Sequence, residues 1–282
     1  MFDQCRFTTS CLVAAVLAGA GLWCAGHPAA TAVGDDPVPV QMTLDELASG
    51  KLHVVDLGWP LNDTSPYWPA ENYEPFRLTT IATLEKNGVL SKAFYCPEHL
   101  GTHLDAPNHF EKIQPAVDQI NPANLFARGV RIDISAQADA DADYRLTTAD
   151  INEWEKKHGR IPKNAVVLLN TGWARHWNNY PRYKNQDPMG KLHFPGYSVE
   201  AAKFLVADRQ VKGLGIDTLS IDHGPSKDFV VHHIVNGAGR YGLENLAHLD
   251  QLPAKGFYVF AAPIKIETGS GGPARVFAIL PR

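Results

Sequence analysis

The densest concentration of chemically active side chains lies in residues 98–110, which read EHLGTHLDAPNHF. Three histidines and one aspartate fall within eleven residues of this run. Imidazole and carboxylate groups together suit a borderline divalent ion such as zinc, manganese or iron. A lone histidine is usually an ordinary surface or core residue, but three of them interleaved with Gly, Asp and Pro predict a metal site.

The spacing of these residues limits how they could share one ion. On a straight strand, His99 and His103 would be about 13 Å apart, because a strand rises about 3.3 Å per residue. On a helix the two would be neighbours, but Asp105 would then point elsewhere and Pro107 would break the helix. We therefore expect an irregular turn around the ion, with Gly101 supplying the backbone freedom.

Other reactive side chains have simpler interpretations. Cys96 precedes the histidine run, and a thiolate would bind zinc well, but a small buried residue is its expected role. A serine hydrolase has little support, since the sequence has no Gly-x-Ser-x-Gly motif. Ser220 lies near Asp217, Asp222 and His223 and only superficially resembles a catalytic triad, so support of the metal site is the more natural role there.

The rest of the chain predicts strands that alternate with helices. Strand candidates are residues 53–57, 129–134, 165–169, 213–217 and 257–260. Helices are expected to begin near Thr43, Thr148 and Ser198, each of which is a suitable cap. Residues 58–75 and the acidic stretch 136–143 are expected to be loops. The alternation predicts an α/β domain, and nothing beyond the N-terminal segment marks a domain boundary.

Residues 1–32 have the layout of a secretory signal peptide. A weakly positive start with Arg6 precedes the apolar run 12–23, and Ala30-Thr31-Ala32 fits the small-x-small cleavage pattern. The apolar run is too short for a comfortable membrane span. The alternatives are an uncleaved membrane anchor and a start codon placed too far upstream.

Cleavage at this site would leave a single mature domain at residues 33–282, exported to the periplasm or secreted and free of the membrane. A lipid anchor on Cys24 is conceivable, but bulky Trp23 disfavours it. Only Cys96 would remain in the mature chain, so no intramolecular disulfide could form.

The composition of the whole chain excludes several functions. Its 282 residues are 45% hydrophobic and 20% charged, which is ordinary for a soluble globular protein. The formal net charge is −4, so the chain has no basic footprint for nucleic acid. It also has no basic run that would hold an anionic membrane. Neither nucleic acid nor an anionic membrane is therefore an expected partner.

The motif His99-x-Gly101-Thr102-His103-x-Asp105-x-Pro107-x-His109 resembles the signature of the cyclase-like metal-dependent hydrolases. This family includes bacterial kynurenine formamidase and isatin hydrolase. The resemblance continues through Trp68-Pro69, Thr171-Gly172-Trp173, Phe194–Ser198, Gly215–Thr218, Val231–Leu246, Ala262–Ile266 and Gly272–Val276, although Leu219 stands where proline is common. It implies an α/β fold with a barrel-like mixed β-sheet and helices packed outside. It also implies a homodimer or homotetramer.

The resemblance implies a ligand set for the divalent metal, zinc or manganese. His99, His103 and Asp105 would bind a first ion. Asp105 would bridge to a second ion, held also by His232 and Glu244. Some relatives use a single metal, so one or two ions per subunit are expected.

The remaining roles also follow from the resemblance. His109 would be the catalytic acid/base, and Trp68 would lie against the substrate. His233 is an alternative to His232 as a ligand, but alignment on Gly237-Ala238-Gly239 favours His232.

Three functions are consistent with this pattern. The first is metal-dependent hydrolysis of an amide, lactam or related acyl bond in a small aromatic substrate. The second is arylformamidase activity on N-formylkynurenine, which suits an exported enzyme less well. Compared with compact formamidases, the chain has additional residues at 136–160 and at 174–193. Aromatic residues in the second segment could line or cover a pocket, so a cyclic amide is also a candidate substrate. The third is an exported protein that binds metal or ligand without catalysis, which would have no need of a proton carrier such as His109.

Overall fold

One large mixed sheet lies at the centre of the buried apolar core in this computed structural model, which describes residues 43–282. The predicted signal peptide, residues 1–32, lies outside the described residues. Within them the strands are β1 (Leu52–Asp56), β2 (Arg77–Ala82), β3 (Ser91–Tyr95), β4 (His103–Asp105), β5 (Phe126–Asp133), β6 (Arg145–Leu146), β7 (Val166–Asn170), β8 (Gly196–Tyr197), β9 (Gly213–Ile216), β10 (Tyr241–Glu244), β11 (Lys255–Pro263) and β12 (Gly271–Pro281).

Seven of these strands close into a barrel in the order β12-β11-β5-β7-β9-β10-β4, with β4 pairing back onto β12. Strands β5, β7, β9 and β10 are parallel, and the other pairings in the barrel are antiparallel. Strand β1 extends the sheet beside β12. The predicted α/β fold with a barrel-like mixed sheet is therefore confirmed.

Helices supply the crossovers that parallel strands need. The α-helices of the described chain are α1 (Leu44–Ala48), α2 (Leu84–Asn87), α3 (Ser135–Ala140), α4 (Thr148–His158), α5 (Tyr180–Lys184), α6 (Val199–Lys203) and α7 (Val230–Gly237). Helix α4 lies between β5 and β7 in the sequence, α6 between β7 and β9, and α7 between β9 and β10. No helix among residues 43–282 is long and apolar enough to cross a membrane.

Strand β7 shows how the barrel is buried on both faces. Val166 and Leu168 pack with residues of the other barrel strands, whereas Val167 and Leu169 pack with side chains from α4, α6 and α7. All five β7 residues are buried. Alternating side chains of one strand thus fill two layers, which explains its uninterrupted apolar run.

The local predictions were largely correct. Thr43 caps α1, and its hydroxyl and the Glu46 carboxylate form a reciprocal capping box. The cap of α4 is Thr147, one residue before the predicted Thr148. The loop predicted at 136–143 was wrong for residues 136–140, because α3 occupies Ser135–Ala140, and correct for 141–143. Burial of Ala138 and hydrogen bonds from Ser135 to the Asp133 side chain stabilise that turn of helix.

Candidate metal centre

Strand β4 places two of the predicted ligands on one face. His103 and Asp105 are two residues apart, so both side chains point to the same side of the strand. The antiparallel register with β10 sets His103 opposite Glu244 and Asp105 opposite Gly242. The pairing of strands therefore brings the His103 Nε2 atom to 3.3 Å from Glu244 Oε2.

Glycines on the two strands beside β4 make room for the site. Gly242 of β10 and Gly271 of β12 both pair with Asp105. A Cβ atom on Gly242 would lie 2.8 Å from Asp105 Oδ2, and one on Gly271 would lie 2.7 Å from His99 Cε1. Either contact is too close for real atoms, so any larger residue would displace the side chain beside it.

His99 reaches the site from the turn before β4. Gly101 adopts a left-handed φ of 64°, as the expected irregular turn required. The turn sets the ring centroids of His99 and His103 5.2 Å apart. His99 Nδ1 lies 2.7 Å from Asp105 Oδ1, and Nε2 lies 2.9 Å from Ser270 Oγ. The expectation of a turn holds for 99–102, whereas 103–105 is a regular strand.

His232 enters from α7 and is oriented by Asp222. The Asp222 carboxylate accepts the backbone N–H of His232 at 3.1 Å and lies 2.7 Å from its Nδ1 atom. The other ring nitrogen, Nε2, lies 3.3 Å from Asp105 Oδ2 and 3.1 Å from Glu244 Oε1. His233 points away to the surface. The structure therefore places His232, not its neighbour, among the predicted ligands.

The donor atoms fit a bound cation. His103 Nε2 and Asp105 Oδ2 are buried and have no hydrogen-bond partner, although Nε2 lies only 3.2 Å from Asp105 Oδ1. Buried polar atoms are nearly always paired, so orphaned atoms aimed at a common centre fit a shared ion. Two sets of donor atoms each lie within 4.8 Å of one another: His99, His103 and Asp105, and then Asp105, His232 and Glu244. Because Asp105 belongs to both sets, the cluster can accommodate one ion or two.

The electrostatics of the cluster also favour positive charge. Burial alone would lower the pKa of His103, but Asp105 and Glu244 outweigh it and raise that pKa to about 10. Burial would likewise raise the pKa of Asp105, but the surrounding histidines hold it well below its ordinary value. Two buried carboxylates in this space are therefore balanced by positive charge beside them, which protonated histidines or a bound cation can supply.

His109 lies next to the donor sets but belongs to neither. A 3₁₀ turn, Pro107–His109, follows β4. The ring of His109 stacks on the ring of His99, with centroids 3.8 Å apart. Within residues 43–282, neither ring nitrogen of His109 has a hydrogen-bond partner. Burial lowers the pKa of His109 to about 3, well below an ordinary histidine, so the ring is neutral. This placement leaves a ring nitrogen available to a substrate.

A cavity of about 280 Å³ opens onto the cluster. Its walls are aromatic and apolar side chains, among them Trp68, Tyr73, Phe110, Leu219 and Phe229. Trp68 was predicted here, and its ring meets that of Phe229 edge-on with centroids 5.5 Å apart. Phe110 and Phe229 were not predicted. Phe110 directly follows the motif, but Phe229, with a left-handed φ of 48°, carries no comparable sequence signal.

The other reactive residues take no part in the donor sets. Burial raises the pKa of the half-buried Cys96 thiol to about 11, and its sulfur lies beside the Pro97 carbonyl. Ser220 Oγ accepts the backbone N–H of Asp222 at 3.1 Å, while the carboxylate of Asp222 contacts His232. The Asp222 carboxylate thus supports the metal cluster and is not part of a serine triad.

A closed α/β barrel with an imidazole–carboxylate cluster beneath an aromatic cavity is the architecture expected of a metal-dependent hydrolase. The chain belongs to the cyclase family, whose model, described as "Putative cyclase", matches residues 55–223. The family resemblance carried by the histidine motif is therefore confirmed.

Individual relatives match nearly the whole length of the described chain. The isatin hydrolase of Roseibium aggregatum is 31% identical over 252 residues, covering 84% of this chain and 95% of that protein. The kynurenine formamidase of Bacillus thuringiensis is 25% identical, covering 78% and 94%. The structure of isatin hydrolase A from Ralstonia solanacearum superimposes with a TM-score of 0.80 at 36% identity, covering 86% of this chain and 100% of that one.

Proposed function

We propose that this protein hydrolyses a cyclic amide in a small, flat aromatic substrate, with a zinc or manganese ion as cofactor. The ligands would be His99, His103, Asp105, His232 and Glu244, binding one or two ions. The observation that carries the proposal is the convergence of orphaned, buried donor atoms in an aromatic-walled cavity.

The residues around the cavity divide the remaining work. When bound, the ion would polarise the scissile carbonyl and lower the pKa of water. Trp68, Phe110 and Phe229 would enclose a flat ring by stacking and edge contacts. A ring nitrogen of neutral His109 would take up the proton that the attacking water gives up, and it would return that proton to the leaving nitrogen as the C–N bond breaks.

Two kinds of relative support different substrates. The isatin hydrolases of Roseibium aggregatum and Ralstonia solanacearum support a bicyclic lactam, and they are the more similar at 31% and 36% identity. The kynurenine formamidase of Bacillus thuringiensis supports an aryl formamide at 25% identity. A cavity of about 280 Å³ is near the lower end of ligand pockets, which also favours a compact, fused-ring substrate.

Comparison of the two substrates tests this choice. We expect kcat/KM for isatin to exceed that for N-formylkynurenine at least tenfold, measured by absorbance with metal-loaded protein. A higher value for the formamide would establish the arylformamidase alternative instead. Turnover of neither compound by metal-loaded protein would favour the exported binding protein.

The hairpin formed by β2 and β3 supports the predicted homodimer or homotetramer, and we propose that a second copy of the chain covers it. Seven large apolar side chains of its strands and of the connection between them, which includes α2, are 43% to 65% exposed: Leu78, Ile81, Leu84, Val89, Leu90, Phe94 and Tyr95. Together they expose on the order of several hundred Å², at the upper limit for a monomer. A standard interface needs about 800 Å² per partner, and a lone two-stranded hairpin is only marginally stable in water.

Charged substitutions in the hairpin should separate the subunits. We expect Leu90→Asp combined with Phe94→Asp to give a monomer by size-exclusion chromatography with light scattering, because charge cannot be buried there without a partner. Ile113→Asp is the matched control, since Ile113 is equally apolar and fully exposed outside the hairpin. A monomeric wild-type protein at micromolar concentration would contradict the proposal.

We also propose that the protein is exported and that cleavage after residue 32 releases residues 33–282 to the periplasm or the medium. The support is the sequence layout of residues 1–32. N-terminal sequencing of the protein from a periplasmic fraction should begin at Val33. A lipid-modified Cys24 as the first residue, or an intact Met1, would contradict it.

A further inference from the structure

Tyr183 is a fully buried polar side chain to which the proposed chemistry gives no role. It lies on α5, in the aromatic segment 174–193 that the sequence suggested could line or cover a pocket. Instead, the aromatic residues of α5 and the preceding turn are largely buried: the Tyr183 ring packs edge-on against Trp177 with centroids 5.4 Å apart. The Trp173 indole N–H donates to the Tyr183 backbone carbonyl at 2.7 Å. The ring is therefore held in one position.

The Tyr183 hydroxyl begins a chain of hydrogen bonds that ends at a predicted metal ligand. It lies 2.9 Å from Asn245 Oδ1 and 2.9 Å from the backbone oxygen of Asp217. The Asn245 Nδ2 group donates to the Gly101 carbonyl at 2.9 Å. That same carbonyl lies 2.9 Å from Nδ1 of His103, which donates to it.

We propose that Tyr183 is a positioning residue for the metal centre, acting through the side-chain amide of Asn245. When the Tyr183 hydroxyl donates its proton to Oδ1, it adds a hydrogen bond to the amide orientation in which Nδ2 faces the Gly101 carbonyl. If the Asn245 amide were reversed, its Oδ1 atom would face the Gly101 carbonyl oxygen, and two acceptors cannot form a hydrogen bond. Because the Gly101 carbonyl receives the Nδ1 proton of His103, the Nε2 atom keeps its lone pair for an ion.

The backbone of Asn245 and Gly101, the residues linked to the Tyr183 hydroxyl, is conformationally restricted. Asn245 directly follows the predicted ligand Glu244 and has a left-handed φ of 56°, and Gly101 has a φ of 64°. The Thr102 hydroxyl donates to the Asn245 backbone carbonyl at 2.7 Å, which fixes the backbone but not the amide. The amide itself is held by two hydrogen bonds, one from the Tyr183 hydroxyl and one to the Gly101 carbonyl. This inference rests on the proposed function, since it assumes that His103 binds an ion.

Tyr197 provides a matched control for the loss of a buried hydroxyl. Its side chain is 1% exposed, against 0% for Tyr183. Its hydroxyl also lies near two acceptors, the backbone oxygens of Gly215 at 2.9 Å and Val167 at 3.1 Å. These acceptors belong to barrel strands and not to the cluster. Tyr183→Phe and Tyr197→Phe should therefore cost similar stability, and only the first should affect the metal.

The test is the affinity of the folded protein for Zn²⁺, measured by competition with a chromogenic chelator. We expect Tyr183→Phe to bind Zn²⁺ about tenfold more weakly than wild type, as is typical when a partner of a metal-bound histidine is lost. Tyr197→Phe should bind as wild type does. In an Asn245→Gly background, where glycine accepts the left-handed φ, Tyr183→Phe should weaken binding no further.

Each contrary outcome has a separate meaning. Equal Zn²⁺ affinities for the two phenylalanine variants would overturn this inference and leave the proposed function intact. Weakening that persists in the Asn245→Gly background would also overturn it, because the effect would not pass through the amide. A wild-type protein that binds no Zn²⁺ would overturn the proposed function and this inference together.

Discussion

Replacing His103 with alanine is expected to remove the metal and, with it, all measurable hydrolysis. His103 is buried within β4, and its Nε2 atom faces Asp105 and Glu244 without another partner. The variant keeps two buried carboxylates but loses the imidazole between them. Loss of a direct ligand should lower metal affinity by more than the roughly 10–100-fold cost of losing a supporting partner. Metal content measured by plasma mass spectrometry checks this result.

The matched control for this variant is His233→Ala. His233 lies beside His232 in the sequence, but its side chain is exposed and pairs with Glu111 at 2.9 Å. We expect His233→Ala to retain the full wild-type complement of metal. A His103→Ala protein that also retains it would show that the cluster is not the metal centre.

Replacing His109 with alanine should lower kcat by about 10²–10⁴-fold while leaving the metal bound. The expected loss is large because, among the described histidines that line the cavity, His109 is the one that lies outside both donor sets. The metal should remain because His109 lies outside both donor sets. Steady-state kinetics with isatin and metal analysis of the same preparation measure the two effects together.

Two results would contradict the role of His109. An unchanged kcat would mean that another group moves the proton. Loss of the ion along with activity would instead show that His109 is a metal ligand. The His109 ring, which stacks on His99, would then have to coordinate the ion. His109→Asn, which keeps a polar group of similar size, should be as inactive as His109→Ala because an amide does not exchange protons near neutral pH.

The sequence was most informative where the chemistry is local. Residues 99–109 carry three histidines and an aspartate close together, so composition and spacing alone indicated a metal site. His232 and Glu244 lie far along the chain, and no spacing rule connects them to His103. They were reached only by family resemblance. The structure brings them near through the β4–β10 register and the Asp222 contact with His232.

Other features depend on tertiary packing and gave no signal in the sequence. Phe110 and Phe229 reach the cavity from separate loops, so no periodicity marks them as walls. The role of Tyr183 depends on hydrogen bonds to Asn245, a residue with an ordinary sequence context. The short helix α3 was missed because its acidic, alanine-rich sequence suits a solvated loop equally well, and burial of Ala138 decides between them.

The most direct test of metal-dependent hydrolysis is the rate at which residues 33–282, stripped of metal with a chelator and titrated with Zn²⁺ or Mn²⁺, hydrolyse isatin. We predict no turnover by the stripped protein and full turnover once one or two equivalents of ion are bound. Turnover that is unaffected by complete removal of metal would contradict the central claim. So would protein that binds its full complement of metal and leaves isatin intact.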